Sequence, residues 1–194
     1  MEITSAQLKE LRDLTGISVM QCKKALEEAG GDMDKAKIIL QKKGGEIALK
    51  KSDRELGAGA IGSYVHSTHE VAALVQLSCE TDFVAKNEAF GALAREIAMQ
   101  VAAQNPLYIT RAEVTDEIFQ KAREVFMEEV KDRPADMQEK ILVGKLDAYF
   151  KDRILMEQPF IKDQEKTIGT LVSNAIQKFG ENIVISAISR LSVK

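Results

Sequence analysis

Val71-Ala72-Ala73-Leu74-Val75-Gln76-Leu77-Ser78-Cys79-Glu80-Thr81-Asp82-Phe83-Val84-Ala85-Lys86-Asn87 decides the fold, because it passes from a strand pattern through a turn to a helix start. Its first half is apolar and rich in β-branched residues, the pattern of a strand buried on at least one face. Asn87 is a good N-cap, and Phe90, Leu93, Ala94, Ile97, Val101 and Ala102 follow near helical spacing, which predicts a helix over 88–103. The residues between must reverse the chain. Two placements are open to Phe83 there. It projects beside Asp82, where large apolar area and only two side-chain torsions suit a docking anchor, or it plugs the strand-to-helix junction of its own core.

Outward from this turn, residues 60–66 and 71–79, joined by Ser67-Thr68-His69-Glu70, predict a β-hairpin. A third strand is expected over 183–191, where Ile183, Ile185, Ala187 and Leu191 alternate with other residues. Thr115 caps a helix bearing Ile118, Ala122, Val125 and Phe126, and Pro134 starts another with Met137, Ile141, Leu142, Leu146 and Phe150. Thr167 caps a last one through Leu171, Val172, Ala175, Ile176 and Phe179, closed by Gly180. The reading is an α+β core, a small antiparallel sheet covered by helices, rather than repeated βαβ units.

The N-terminal residues 1–46 read as a three-helix bundle. Ser5 caps a helix carrying Leu8, Leu11 and Leu14, and Gly16 closes it; Ser18 with Gln21 forms a capping box opening a second helix with Cys22, Ala25, Leu26 and Ala29 inward. Asp32 caps a third helix through Met33, Ala36, Ile39 and Leu40, expected to stop at Gly44-Gly45. So small a core suits a docking module better than a catalytic one. Residues 47–58 are expected to link it, by a polar helical tail and a flexible stretch, to a core and dimerisation domain over 59–194. Gly57-Ala58-Gly59-Ala60-Ile61-Gly62 satisfies the dinucleotide-binding spacing in the wrong context, since that fingerprint needs a strand before it and a helix after it.

The chain is 45% hydrophobic and 29% charged with a net charge of -3, so it can bury a core, and the balance argues against a broad nucleic-acid-binding face. Cys22 and Cys79 make no disulfide framework and suit a reducing compartment; Met1-Glu2-Ile3-Thr4 lacks the basic start and apolar run of a signal peptide, and no segment reads as a membrane span. A cytoplasmic location is expected. His66 and His69 fall near a hairpin turn without a metal-ligand motif, and no phosphate-binding P-loop occurs. Carboxylates beside Cys79 would raise its thiol pKa, the wrong direction for a nucleophile. No cofactor, metal or catalytic residue is predicted.

Thr81-Asp82-Phe83-Val84-Ala85-Lys86-Asn87, preceded by Cys79-Glu80, resembles the signature of the elongation factor Ts family, and the likeness extends over nearly the whole chain. Leu11-Arg12-Asp13-Leu14-Thr15-Gly16, leading into Met20-Gln21-Cys22-Lys23-Lys24-Ala25-Leu26, resembles the family's N-terminal motif. Glu157-Gln158-Pro159-Phe160 and Gly180-Glu181-Asn182-Ile183-Val184 resemble its C-terminal ones. The resemblance implies that the N-terminal bundle is like a ubiquitin-associated domain. It also implies a guanine-nucleotide exchange factor that binds elongation factor Tu, GDP-bound and nucleotide-free, and promotes GDP release by displacing the elements that support magnesium.

Carried over by position, Thr81, Asp82, Phe83 and Val84 dislocate magnesium on the GTPase. Phe83 would be the wedge, Asp82 would pair with groups at the cleft, and Thr81 and Val84 would hold the turn. Arg12, Val19 and Met20 would dock the bundle on the nucleotide-binding domain, although Ile17-Ser18-Val19-Met20 stands where the family usually has Ala-Gly-Met-Met. Read from the residues alone, Val19 and Met20 equally fit half-buried helix positions, and Arg12 a solvated charge. Short members of the family resemble half of a longer one, which implies a symmetric homodimer. The competing class is a noncatalytic ubiquitin-associated-like adaptor or scaffold, whose core only dimerises.

Overall fold

Local capping chemistry sets the ends of most helices in the computed structural model, which describes residues 3–193 apart from the side chains of residues 135 and 136. Met1 and Glu2, on which part of the N-terminal reading rests, lie outside the described residues, as does residue 194. Helix α1 (Ser5–Thr15) is capped by Thr4 rather than Ser5. Thr4 Oγ1 accepts from the Gln7 N–H at 3.2 Å and Gln7 Oε1 accepts from the Thr4 N–H at 3.1 Å. Such a reciprocal box needs a glutamine three residues after the hydroxyl, which Thr4 has and Ser5 lacks. Helix α2 (Val19–Glu28) starts at Ser18, and α3 (Met33–Lys51) at Asp32, whose carboxylate accepts from the Asp34 and Lys35 N–H groups. Leu11, Ile17, Cys22, Ala25, Leu26, Ala36 and Leu40 form the buried centre of this bundle.

Helix α3 does not stop at Gly44-Gly45. Gly44 is buried against a later helix, where a Cβ would meet the Gln177 amide oxygen at 3.3 Å and the Ser173 carbonyl at 3.5 Å. The missing side chain permits close packing, and Ile47 and Ala48 beyond it pack on the main core, which outweighs the low helix propensity of two glycines. The polar helical tail expected after those glycines is therefore continuous with α3, which runs on to Lys51.

Then come strands β1 (Ala58–Val65) and β2 (Val71–Cys79), the single-turn helix α4 (Asp82–Ala85) and helix α5 (Glu88–Gln104). Helices α6 (Asp116–Val130) and α7 (Ala135–Lys151) follow, then the short hairpin β3 (Pro159–Phe160) and β4 (Asp163–Thr167), helix α8 (Ile168–Phe179) and strand β5 (Ile183–Ser192). The main sheet is antiparallel in the order β1-β2-β5, so the fold is α+β. Its inner face buries Val75, Leu77, Ile183 and Ile185 with Phe90 and Ile97 of α5 and Val172 and Ile176 of α8. Phe90 and Phe179 meet edge to face at 6.0 Å. Helices α6 and α7 share a separate core of Val130, Leu142, Leu146, Phe150 and Ile154.

Close packing at two glycines and a shift of register shape the sheet. Gly62 lies where a Cβ would sit 2.1 Å from the Ala94 carbonyl oxygen, and at Gly59 one would sit 2.6 Å from that of Leu77. These glycines let β1 approach α5 and β2. In β5 the register shifts opposite Gln76 and Leu77, which pair with Ala187 and Ile185, leaving Ser186 as an extra residue. A bulge of one residue reverses the alternation, so Ile188 follows Ile185 toward the core, Ala187 turns out and Leu191 is 73% exposed.

Candidate functional site

Strand β2 delivers the chain to the turn from a buried end, since Cys79 has no exposed surface and its Sγ donates to the Thr81 carbonyl at 3.2 Å. Burial pushes this thiol's pKa up, and the Glu181 and Glu80 carboxylates push it further. One helical turn follows, closed by the Ala85 N–H to Thr81 carbonyl bond at 3.2 Å and the Lys86 N–H to Asp82 carbonyl bond at 3.0 Å. Asn87 Oδ1 then accepts from the Ala89 N–H at 3.0 Å and starts α5. Adjacent residues on a helix point about 100° apart, so a turn that buries Val84 in the core sends its neighbour elsewhere. Phe83 is 81% exposed. Of the two placements open to it, the ring takes the one in solvent.

Asp82 lies beside it, ion-paired with Lys86 at 2.6 Å, both side chains largely exposed. The Lys86 hydrogen bond lowers the Asp82 pKa, and the same bond raises that of Lys86. Thr81 occupies the N-cap position of α4 but makes no side-chain capping bond to it. Its hydroxyl donates to Glu181 Oε1 at 2.5 Å and its N–H to Glu181 Oε2 at 3.0 Å. Glu80 reaches the opposite way. Its Oε1 accepts from the Asn182 N–H at 2.6 Å, and Arg54 Nη1 lies 3.2 and 3.1 Å from its two oxygens. Those donors hold the Glu80 carboxyl below the usual carboxylate range, the Asn182 N–H contributing most. Asn182 is buried, and Lys51 at the end of α3 donates to the Gly180 carbonyl.

The turn thus brings together Thr81, Asp82, Phe83 and Val84, with Glu80 and Glu181 beneath them. Arg12, Val19 and Met20 lie elsewhere, on α1 and the first turn of α2. Arg12 is exposed, and Val19 and Met20 are 41% and 67% exposed. Sequence reasoning missed Glu181: its motif was visible as Gly180-Glu181-Asn182, but nothing local says that its carboxylate reaches a residue 100 positions earlier.

Among the described residues, no group of three or more His, Cys, Asp or Glu side chains is placed to hold a metal ion, and no helix is long and apolar enough to cross a membrane. His66 Nδ1 lies 3.0 Å from the Tyr64 hydroxyl at the hairpin turn. A cavity of about 510 Å³ lined by Asn105, Arg153, Gln158 and Phe160 lies at the ends of α5 and α7 and includes none of the turn residues.

Residues 3–194 match the sequence model of the family described as Elongation factor TS. The chain is 46% identical over 194 residues to the elongation factor Ts of Thermodesulfovibrio yellowstonii, spanning 100% of this chain and 97% of that one. It is 45% identical over 193 residues to that of Thermotoga petrophila, with 100% and 97% covered. To that of Leptospira biflexa it is 47% identical over 199 residues, with 100% and 98% covered.

Proposed function

The chain belongs to the elongation factor Ts family of translation elongation factors, and on that premise we propose that it is a guanine-nucleotide exchange factor for elongation factor Tu. The observation that carries this reading is Phe83, a large apolar ring 81% exposed on a turn whose neighbours are buried or bonded. A GTPase that binds nucleotide at nanomolar strength holds it by about 12 kcal/mol, largely through phosphate-cradling amides and a magnesium ion. A partner accelerates release only by binding better to a state in which those groups are displaced. In this reading Phe83 enters a cleft between helices of the GTPase and displaces the element that supports magnesium. Asp82 exchanges Lys86 for a group at the cleft. Their ion pair is solvated, so giving it up costs little. Thr81 and Val84 hold the turn, while Arg12, Val19 and Met20 dock the bundle on the nucleotide-binding domain, GDP-bound or empty.

No bond is made or broken on this chain, so the reading assigns it no catalytic residue, cofactor or resident metal, and no direct contact with nucleic acid; its place is the cytoplasm, with the translation apparatus. Residues 1–46 serve as docking module, 47–58 as connection and 59–194 as core and dimerisation domain. A homodimer is supported by the outer face of the sheet. Ile61, Val65, Leu74 and Leu191 are exposed there, interleaved with Ser63, Gln76 and Ser189, so that face is uncharged and a second copy can cover it.

The test is release of labelled GDP from elongation factor Tu. The wild-type chain accelerates it, and a folded Asp82→Ala, Phe83→Ala double variant does not. Wild-type rates from that variant reject the wedge, and binding without acceleration by the wild type points to an adaptor.

A further inference from the structure

We propose that Glu181 is a positioning residue for the wedge, holding Asp82 and Phe83 ready through Thr81; the inference rests on the exchange-factor reading. A helix of one turn has no stability of its own, because nucleation fixes several torsions for each hydrogen bond gained. Helix α4 also lacks the side-chain cap that Thr81 would ordinarily supply. What fixes its start comes instead from the far end of the chain. Both donors of Thr81, the N–H at 3.0 Å and the hydroxyl at 2.5 Å, meet the two oxygens of one carboxylate, a two-point contact that sets orientation as well as distance.

Glu181 is itself held on both sides. Gly180 before it accepts from Lys51, and the Asn182 N–H after it donates to Glu80 at 2.6 Å. Glu80 and Glu181 therefore form a crossed pair, each carboxylate taking a backbone N–H of the other's segment. Removing Glu181 leaves Thr81 to water and frees the turn to populate other conformations. A ligand that requires one conformation then binds more weakly in proportion to the lost population, whereas the seated complex is unchanged. These contacts are solvent-exposed, so their loss acts on local order far more than on global stability.

The experiment compares the full-length wild type with Glu181→Ala and Glu181→Gln. In Glu181→Ala the Thr81 amide exchanges its hydrogen about tenfold faster, and the concentration giving half-maximal GDP release rises about tenfold while the rate at saturation stays the same. Glu181→Gln restores both, since an amide can accept the Thr81 N–H and donate to its hydroxyl. Thr167→Ala, which removes the α8 cap, serves as the stability control; it lowers the melting temperature without moving the half-maximal concentration. Unchanged Thr81 protection in Glu181→Ala overturns the proposal. So does lost protection with unchanged concentration dependence, or a fall confined to the saturating rate. A wild-type chain that fails to accelerate release sinks the exchange reading and this inference with it, an outcome separable from the others because the amide measurement needs no partner.

Discussion

The turn at residues 79–87 and the α1–α2 face of the bundle both expose apolar side chains, but they are built on different supports. At the turn, one ring stands out of a frame in which Cys79 and Val84 are buried and Glu80 and Thr81 are bonded to the α8–β5 connection. On the bundle, Val19 and Met20 are exposed on the first turn of α2, in a module whose own core is small: Leu11, Ile17, Cys22, Ala25, Leu26, Ala36 and Leu40. On the proposed function, the difference is that between a wedge and a handle. To deform a cleft, a side chain must stand on something stiffer than the cleft, whereas a handle need only stay attached and adds affinity in every state of the partner alike.

The largest expected effect tests the supports. Leu26→Ala removes a side chain with no exposed surface and should cost about 2–5 kcal/mol, enough to open so small a bundle while the sheet persists. Native-state hydrogen exchange should show protection lost across α1 and α2 and kept in β2 and α5; uniform loss would mean that bundle and core unfold as one unit and would break the comparison. Next comes the wedge. Phe83→Ala should lose about 2–4 kcal/mol of affinity for the nucleotide-free GTPase by calorimetry, with the melting temperature unmoved because the ring is in solvent. A fall in melting temperature of several degrees would assign the ring a role in its own fold.

Met20→Ala sharpens the contrast. It should cost about 1 kcal/mol of affinity, equally for the GDP-bound and empty GTPase, as a handle requires. A loss confined to the empty form would make Met20 part of the wedge.

The smallest effect is one of pH. The folded state holds the Glu80 carboxyl below its ordinary value of about 4.3, so its contribution is fully present above that value and is lost as pH falls through the lowered one. Plotted against pH, the difference in melting temperature between wild type and Glu80→Gln should be constant at neutral pH and shrink on acidification below about 4.3. A difference that grows instead would reverse the sign of the linkage.

How much of this was legible in the sequence follows from how local each determinant is. Asn87, Thr115 and Thr167 cap the helices that their hydroxyl or amide side chains announce, because a cap is a contact over two or three residues. The run 71–79 is a strand for the same local reason. Gly44-Gly45 misled because the gain from packing α3 on α8 is a tertiary quantity. Leu191 misled because the bulge at Ser186 depends on pairing with β2, and the hairpin of β3 and β4 escaped because Pro159-Phe160 is too short for a period and Asp163–Thr167 is polar. At the site, the motif picked out the turn, but the outward placement of Phe83 hangs on the burial of Val84, and the Thr81–Glu181 bond on a contact across 100 residues. Periodicity reports neither.

The central claim is that Phe83 and GDP compete through the shape of the GTPase, and one thermodynamic cycle measures it. The affinity of this chain for elongation factor Tu is determined with and without saturating GDP and magnesium, for wild type and for Phe83→Ala. The account predicts that GDP weakens the wild type by the same factor by which the chain weakens GDP, and that this factor collapses toward one in the variant. A wild-type affinity indifferent to GDP, or a factor that survives loss of the ring, would contradict it.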